Sequence, residues 1–297
     1  MPAGRYVPHL VLTSLIAIWS LSFVVSKLAM RSLSPDGLVA TRFWLAIACV
    51  LPLLGRGALA ELRAALVPGL VAGSALALGY VLQMQGMNET SAATGGLLAG
   101  LIVPLVGLGG FLFFGARMST FAITGLVLAI AGIVAICWPS GAPADRADTL
   151  RGILLQVGSS TSYAAHVLLL TRFGRSTPIA ALTTWQLAIV ALAGTVLAMR
   201  GGWAAAGVES IVWDVELLLL VAYLGVLASA VGIGVQARVQ HRIPPTHLAL
   251  LFALQPLFAA LCGWAMLDDA LGVPQLVGGG LIIAGVVITS RDRPAGG

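Results

Sequence analysis

The chain has 297 residues, of which 59% are hydrophobic and only 9% charged, with a mean hydropathy of +1.01. A soluble globular domain carries about 25% charged residues, so this composition excludes an ordinary polar surface and puts the chain in lipid. The formal net charge of +5 does not point to nucleic acid, because the Lys and Arg residues stand singly between apolar runs and build no basic face.

A helix needs about 20 apolar residues to cross a bilayer. By that measure the apolar runs predict ten spans, at 9–29, 36–55, 64–87, 91–114, 118–138, 150–170, 178–199, 214–236, 245–267 and 271–290. The first run is followed by Lys27 and Arg31 without a small-residue cleavage site, so it reads as a span rather than a signal peptide. Cys49, Cys137 and Cys262 each fall within an apolar run without C-x-x-C spacing and read as small packing residues. The longest polar gaps, around 139–148 and 201–214, are too short to form a separate domain.

The chain repeats itself. Gly95–Leu105 is echoed by His247–Leu257, with Pro104 matching Pro256, and Gly125–Val134 is echoed by Gly278–Val287. A single inserted residue reconciles the two offsets, giving two five-span repeats over 1–142 and 143–297. Five is odd, so the second repeat enters the membrane from the opposite side. The expected fold is an all-α membrane protein of ten transmembrane helices in two inverted five-helix repeats, the chassis of a secondary transporter with its substrate path between the halves. Arg5, Arg56, Arg63, Arg117, Arg172, Arg175, Arg238, Arg242, Arg291 and Arg293 fall on the side of the N-terminus. Lys27, Arg31, Arg146, Arg151 and Arg200 fall on the other. The positive-inside rule then predicts cytoplasmic termini in a bacterial-type inner membrane.

A polar side chain in lipid costs free energy unless it has a partner or water, so polar residues at mid-depth mark the path. Trp19, Tyr80, Gln83, Thr94, Tyr163, Tyr223 and Gln255 are the expected cavity residues, with Ser14, Ser20, Ser22, Ser159, Ser160 and Ser229 at similar depths. Tyr80, Gln83 and Met87 share one helical face, and Ser91 and Thr94 open the next span beside it, predicting an outer vestibule. Such neutral hydrogen-bonding groups with interleaved aromatics suit a zwitterion bearing an apolar side chain. Pro104 and Pro256 each break a helical hydrogen bond inside a span and are candidate bending elements of a gate. Arg42, about two turns into its span, can snorkel outward and reads as a structural residue. The spans hold no Asp or Glu near mid-depth, which leaves facilitated diffusion, or coupling through His166, His247 or the end-positioned Glu89.

The N-terminal run Ala17-Ile18-Trp19-Ser20-Leu21-Ser22-Phe23-Val24-Val25-Ser26-Lys27, then Ser34-Pro35, then Arg42-Phe43-Trp44-Leu45-Ala46, resembles the opening signature of the drug/metabolite transporter superfamily, EamA type. That family usually has Gly after the tryptophan, where this chain has Ser20. The resemblance covers essentially the whole chain. It implies a carrier of amino acids, nucleobases, sugars or other metabolites, and looks most like the branch exporting aromatic and other neutral amino acids.

The competing classes are an intramembrane enzyme, for which no catalytic spacing such as H-E-x-x-H is present, and a channel. A nucleobase, sugar or drug-like substrate is the alternative within the same fold. No nucleotide-binding loop, cofactor or metal site is expected. The expected partners are a small-molecule substrate and the lipid bilayer, with no nucleic acid, and the chain is expected as a monomer or homodimer.

Overall fold

In the computed structural model, the structure describes residues 7–55, 57–114, 120–136, 148–173, 176–239, 251–252, 254–269 and 272–289. The apolar runs become helices: α1 (Val7–Ala29), α2 (Pro35–Val50), a short α3 (Ala58–Ala64), α4 (Leu66–Asn88), α5 (Ala92–Ala99), α6 (Ile102–Phe114), α7 (Thr120–Ile136), α8 (Leu150–Phe173), α9 (Ile179–Gly201), α10 (Val215–Ala222), α11 (Gly232–Val239), α12 (Leu254–Leu267) and α13 (Val273–Thr289). Polar residues between the runs cap them. Ser34 accepts from the Gly37 N–H ahead of Pro35, Ser91 from Thr94 and Asp214 from Leu217, each satisfying a backbone donor that a helix start leaves free.

Two of the runs are not regular single helices. The span at 91–114 breaks at Gly100–Leu101, between α5 and α6. The cause lies four residues on: Pro104 has no N–H to give the Gly100 carbonyl, and the chain tightens locally, with Gly100 donating to Leu97 and Leu101 to Leu98. The span at 214–236 runs on to Val239 and contains a π-helical segment, Tyr223–Val231, between α10 and α11. There the Ser229 hydroxyl donates five residues back to the Leu224 carbonyl at 2.8 Å, and the Ala228 carbonyl accepts from Trp19 Nε1 at 2.9 Å. The wider turn is thus held by bonds that a regular α-helix does not make.

The helices pack in layers around a core of Phe23, Val24, Leu38, Phe43, Leu187 and Leu224. α4 lies against α8 and α9, α2 against α9 and the π segment, α1 against α12 and the π segment, α8 against α5 and α6, and α5 against α12. α7 and α13 pair closely and antiparallel. A Cβ at Gly132 would come within 2.6 Å of the Gly278 carbonyl, and one at Gly285 within 2.5 Å of the Gly125 carbonyl, so only glycine lets these backbones meet. The outward faces carry Phe113, Val127, Leu192, Met199, Leu219 and Val273, all exposed. A water-soluble bundle would not present such a belt. Among the described residues, seven segments are long and apolar enough to cross a membrane, and three shorter apolar helices, Ile123–Ile136, Leu254–Leu267 and Val273–Ile288, accompany them.

Candidate functional site

A cavity enclosing about 660 Å³, part of it at its open mouth, lies among α1, α4, α8, α11 and the start of α12. Trp19, Ser22 and Phe23 line it from α1, Leu76, Tyr80 and Gln83 from α4, and Tyr163, His166 and Val167 from α8. Ile233, Gln236, Phe252 and Gln255 complete the opposite wall, with Ala99 and Ile102 at the α5–α6 break. The break that Pro104 causes therefore opens directly onto the cavity. Among the described residues no carboxylate lines it.

The polar groups in the wall are oriented by one another. Tyr163 donates its hydroxyl to Gln83 Oε1 at 2.9 Å, and Gln156 Nε2 reaches the Gln83 carbonyl at 3.3 Å. The Tyr163 ring meets Tyr80 edge to face at 5.4 Å, and Tyr80 meets Phe43 in the same way at 4.6 Å. Trp19 stacks on Phe252 at 6.4 Å while its indole N–H is anchored on the π segment. His166 Nε2 lies 2.6 Å from Gln186 Oε1. Because Gln186 Nε2 donates to the Leu182 carbonyl, its oxygen is the atom left to accept from the imidazole. His166 is thus a buried, satisfied donor, 3% exposed.

Other expected cavity residues lie elsewhere. Tyr223 does not line the cavity; its hydroxyl donates to the Ile18 carbonyl at 2.7 Å and ties the π segment to α1. Thr94 is fully buried and donates to Asp148 Oδ2 at 2.5 Å. Met87 is also fully buried, so the vestibule expected along Tyr80, Gln83 and Met87 stops at Gln83. Pro104 and Pro256 stand behind the wall rather than in it, and Pro256 is buried. Ser20 donates to the Ile16 and Gln255 carbonyls, tying α1 to α12. His247 lies outside the described residues.

Arg42 does not snorkel. It is 2% exposed, its Nε donates to Ser229 Oγ at 2.6 Å, and its guanidinium carbon lies 4.9 Å from the Tyr80 ring centre and 5.4 Å from that of Phe43. Among the described residues the one ion pair is Arg151 with Glu89.

Lys27 stands in the last turn of α1, near Asp148 and Asp269. The N-terminus of α5 is clasped by two carboxylates distant in sequence: Asp148 accepts from the Ser91 N–H at 2.6 Å as well as from Thr94, and Asp269 accepts from the Ala93 N–H at 2.9 Å. Asp268, at φ 51°, ends α12 in the left-handed conformation that Asp tolerates and turns Asp269 toward α5. Burial pushes the Asp269 carboxyl above its ordinary range; the Ala93 N–H and the Lys27 ammonium pull it back, and Asp148 pushes it up again. Beside this clasp Glu89 pairs with Arg151 and accepts from Thr149 Oγ1, joining α4 to the start of α8. Glu89 therefore stands at the bundle end, away from the cavity.

Gln156, Gln186 and Gln236 went unnoticed in the sequence although each stands in an apolar run, which was the available signal. The Asp148–Asp269 clasp left no local signal, because its members come from two different loops. Among the described residues no cluster of three or more His, Cys, Asp or Glu side chains is placed to hold a metal ion.

A family model described as the EamA-like transporter family matches residues 8–138 and again 150–291. Two curated relatives from Archaeoglobus fulgidus, each called an uncharacterized transporter, are similar along nearly the whole chain. One is 24% identical over 288 residues, covering 96% of this chain and 98% of its own. The other is 23% identical over 273 residues, covering 92% and 82%. The uncharacterized transporter YvbV of Bacillus subtilis is 24% identical over 289 residues, covering 96% and 92%. A solved crystal structure aligns with a TM-score of 0.65 at 19% identity, covering 93% of this chain and 94% of that one, a likeness of fold alone.

Proposed function

The chain belongs to the EamA-like transporter family, a multi-pass membrane protein, and from that premise we propose that it is a secondary transporter exporting neutral amino acids, aromatic ones included, by alternating access. The observation that carries this reading is the cavity. It offers the Gln83 and Gln255 amides, the Tyr163 hydroxyl and the faces of Trp19 and Tyr80, with no carboxylate among the described residues of its lining. Such a wall hydrogen-bonds a zwitterion's polar end and packs its apolar side chain.

We read the spans as two inverted repeats, 1–142 and 143–297. The two family matches support that division. So does the packing: exchanging each span of one half for its counterpart turns the α4–α8 contact into that of the π segment with α1, and the α1–α12 contact into that of α8 with α5 and α6. The α5–α12 and α7–α13 pairs map onto themselves. The cavity lining runs from mid-bundle to Val167 and Gln236, while toward Lys27 the carboxylate clasp ties down the start of α5. With the arginine-rich end in the cytoplasm of a bacterial-type inner membrane, this is the inward-facing state, in which an exporter loads. The family and the named relatives point to a transporter rather than an enzyme.

Purified protein in proteoliposomes, offered phenylalanine, methionine, threonine, a nucleobase and a sugar, is expected to move the amino acids saturably. Transport of the nucleobase or sugar alone would overturn the substrate assignment and leave the carrier.

A further inference from the structure

The cavity wall is neutral, yet a permanent positive charge sits one residue behind it. Arginine stays protonated in proteins, so burying it is costly unless an anion accompanies it. Arg42 is buried to 2% exposure, and no described carboxylate pairs with it. Its Nε is held by Ser229 Oγ, and Ser229 gives its own proton to the Leu224 carbonyl within the π segment. Among the described residues, further compensation comes from the ring faces of Phe43 and Tyr80. Of these groups only Tyr80 lines the cavity, and it does so beside Tyr163 and Gln83. The guanidinium is therefore aimed and partly offset, but it lacks the anion that a fork of N–H donors fits best.

We propose that Arg42 is the substrate's carboxylate anchor and that Tyr80 is the ring that gives way to admit it. The assignment rests on the carrier reading of the cavity and narrows it: the substrate must bring a carboxylate. A carboxylate entering beside Tyr80 takes the two terminal nitrogens of Arg42, while Ser229 keeps Nε fixed. The substrate's ammonium is left to the Gln83 and Gln255 amide oxygens and the Trp19 face. Part of the burial cost of Arg42 is relieved only when substrate is bound, which favours occupied over empty cavity. The π segment has a place in this scheme, since its register sets Ser229 opposite Arg42.

The test compares each amino acid with its amino alcohol, which keeps the ammonium and side chain and lacks the carboxylate. Inhibition of labelled phenylalanine uptake by phenylalanine and phenylalaninol, with methionine and methioninol as a second pair, is measured in proteoliposomes of the parent, Arg42→Lys and Arg42→Gln. The parent is expected to prefer the acid by about 10- to 150-fold, the range of a hydrogen bond to a charged group. Arg42→Lys should keep part of that preference and Arg42→Gln should bring the ratio to about one. A merely structural Arg42 would lower the amount of folded protein without moving the ratio. The parent alone can overturn the proposal: equal inhibition by acid and alcohol sinks it while leaving an amino acid carrier. Retention of the full ratio in Arg42→Gln protein of equal fold content would do the same. If no amino acid is taken up but a nucleobase or sugar is, the substrate reading itself has failed and the anchor with it.

Discussion

At the scale of single residues, the cavity wall is built from side chains whose orientations are set before any substrate arrives. Gln83 shows this most clearly. Its amide oxygen accepts from Tyr163, its backbone carbonyl receives Gln156, and its side chain lines the cavity. Removing such a group from a desolvated site costs about 1–3 kcal/mol, roughly 5- to 150-fold in affinity. Gln83→Ala and Gln255→Ala should each weaken amino acid uptake by that factor through a raised KM. Leu276→Ala, on the lipid-facing side of α13 and 58% exposed, should change it by less than about twofold. Unchanged KM in both glutamine variants would place the substrate elsewhere in the bundle.

At the scale of elements, the proposed alternating access requires the clasp at the Lys27 end to open for release. The groups facing Asp269 are the Ala92 and Ala93 amides of α5, the Lys27 ammonium of α1 and the Asp148 carboxylate before α8. Burial raises its pKa in this closed arrangement. A carboxyl with a higher pKa closed than solvated binds its proton more tightly when closed. Acid therefore favours the clasp, and raising the pH through the elevated pKa favours opening. Ser26, 1% exposed on α1 with a hydroxyl that has no hydrogen-bond partner, is a quiet reporter of that opening. In protein without its native cysteines, Ser26→Cys should be labelled faster from outside as the pH rises above the ordinary carboxylate range. Asp269→Asn should flatten the dependence; an opposite slope would contradict the linkage.

At the scale of the whole molecule, the proposed orientation puts the α4–α5 turn outside, so Asn88→Cys should react with a membrane-impermeant thiol reagent added to intact cells; reaction only after permeabilisation would reverse the topology. The apolar runs were legible in the sequence as membrane helices because lipid demands long apolar stretches, and among the described residues seven segments meet that demand. Trp19, Tyr80, Gln83, Tyr163 and Gln255 could be picked out as polar or amphipathic groups within apolar runs, and they line the cavity. What escaped depends on partners far along the chain. The π segment is held by Trp19 and by the bond of Tyr223 to Ile18, Arg42 is buried by Ser229, and the clasp joins Asp148 and Asp269 to α5. No window of local sequence contains these bonds. A carrier of the proposed kind offers one cavity to each side of the membrane in turn, and counterflow tests this most directly. Proteoliposomes loaded with excess unlabelled phenylalanine and diluted into a trace of labelled phenylalanine should accumulate label transiently above equilibrium, with saturation. Label that only equilibrates, without overshoot and in proportion to concentration, would contradict a carrier.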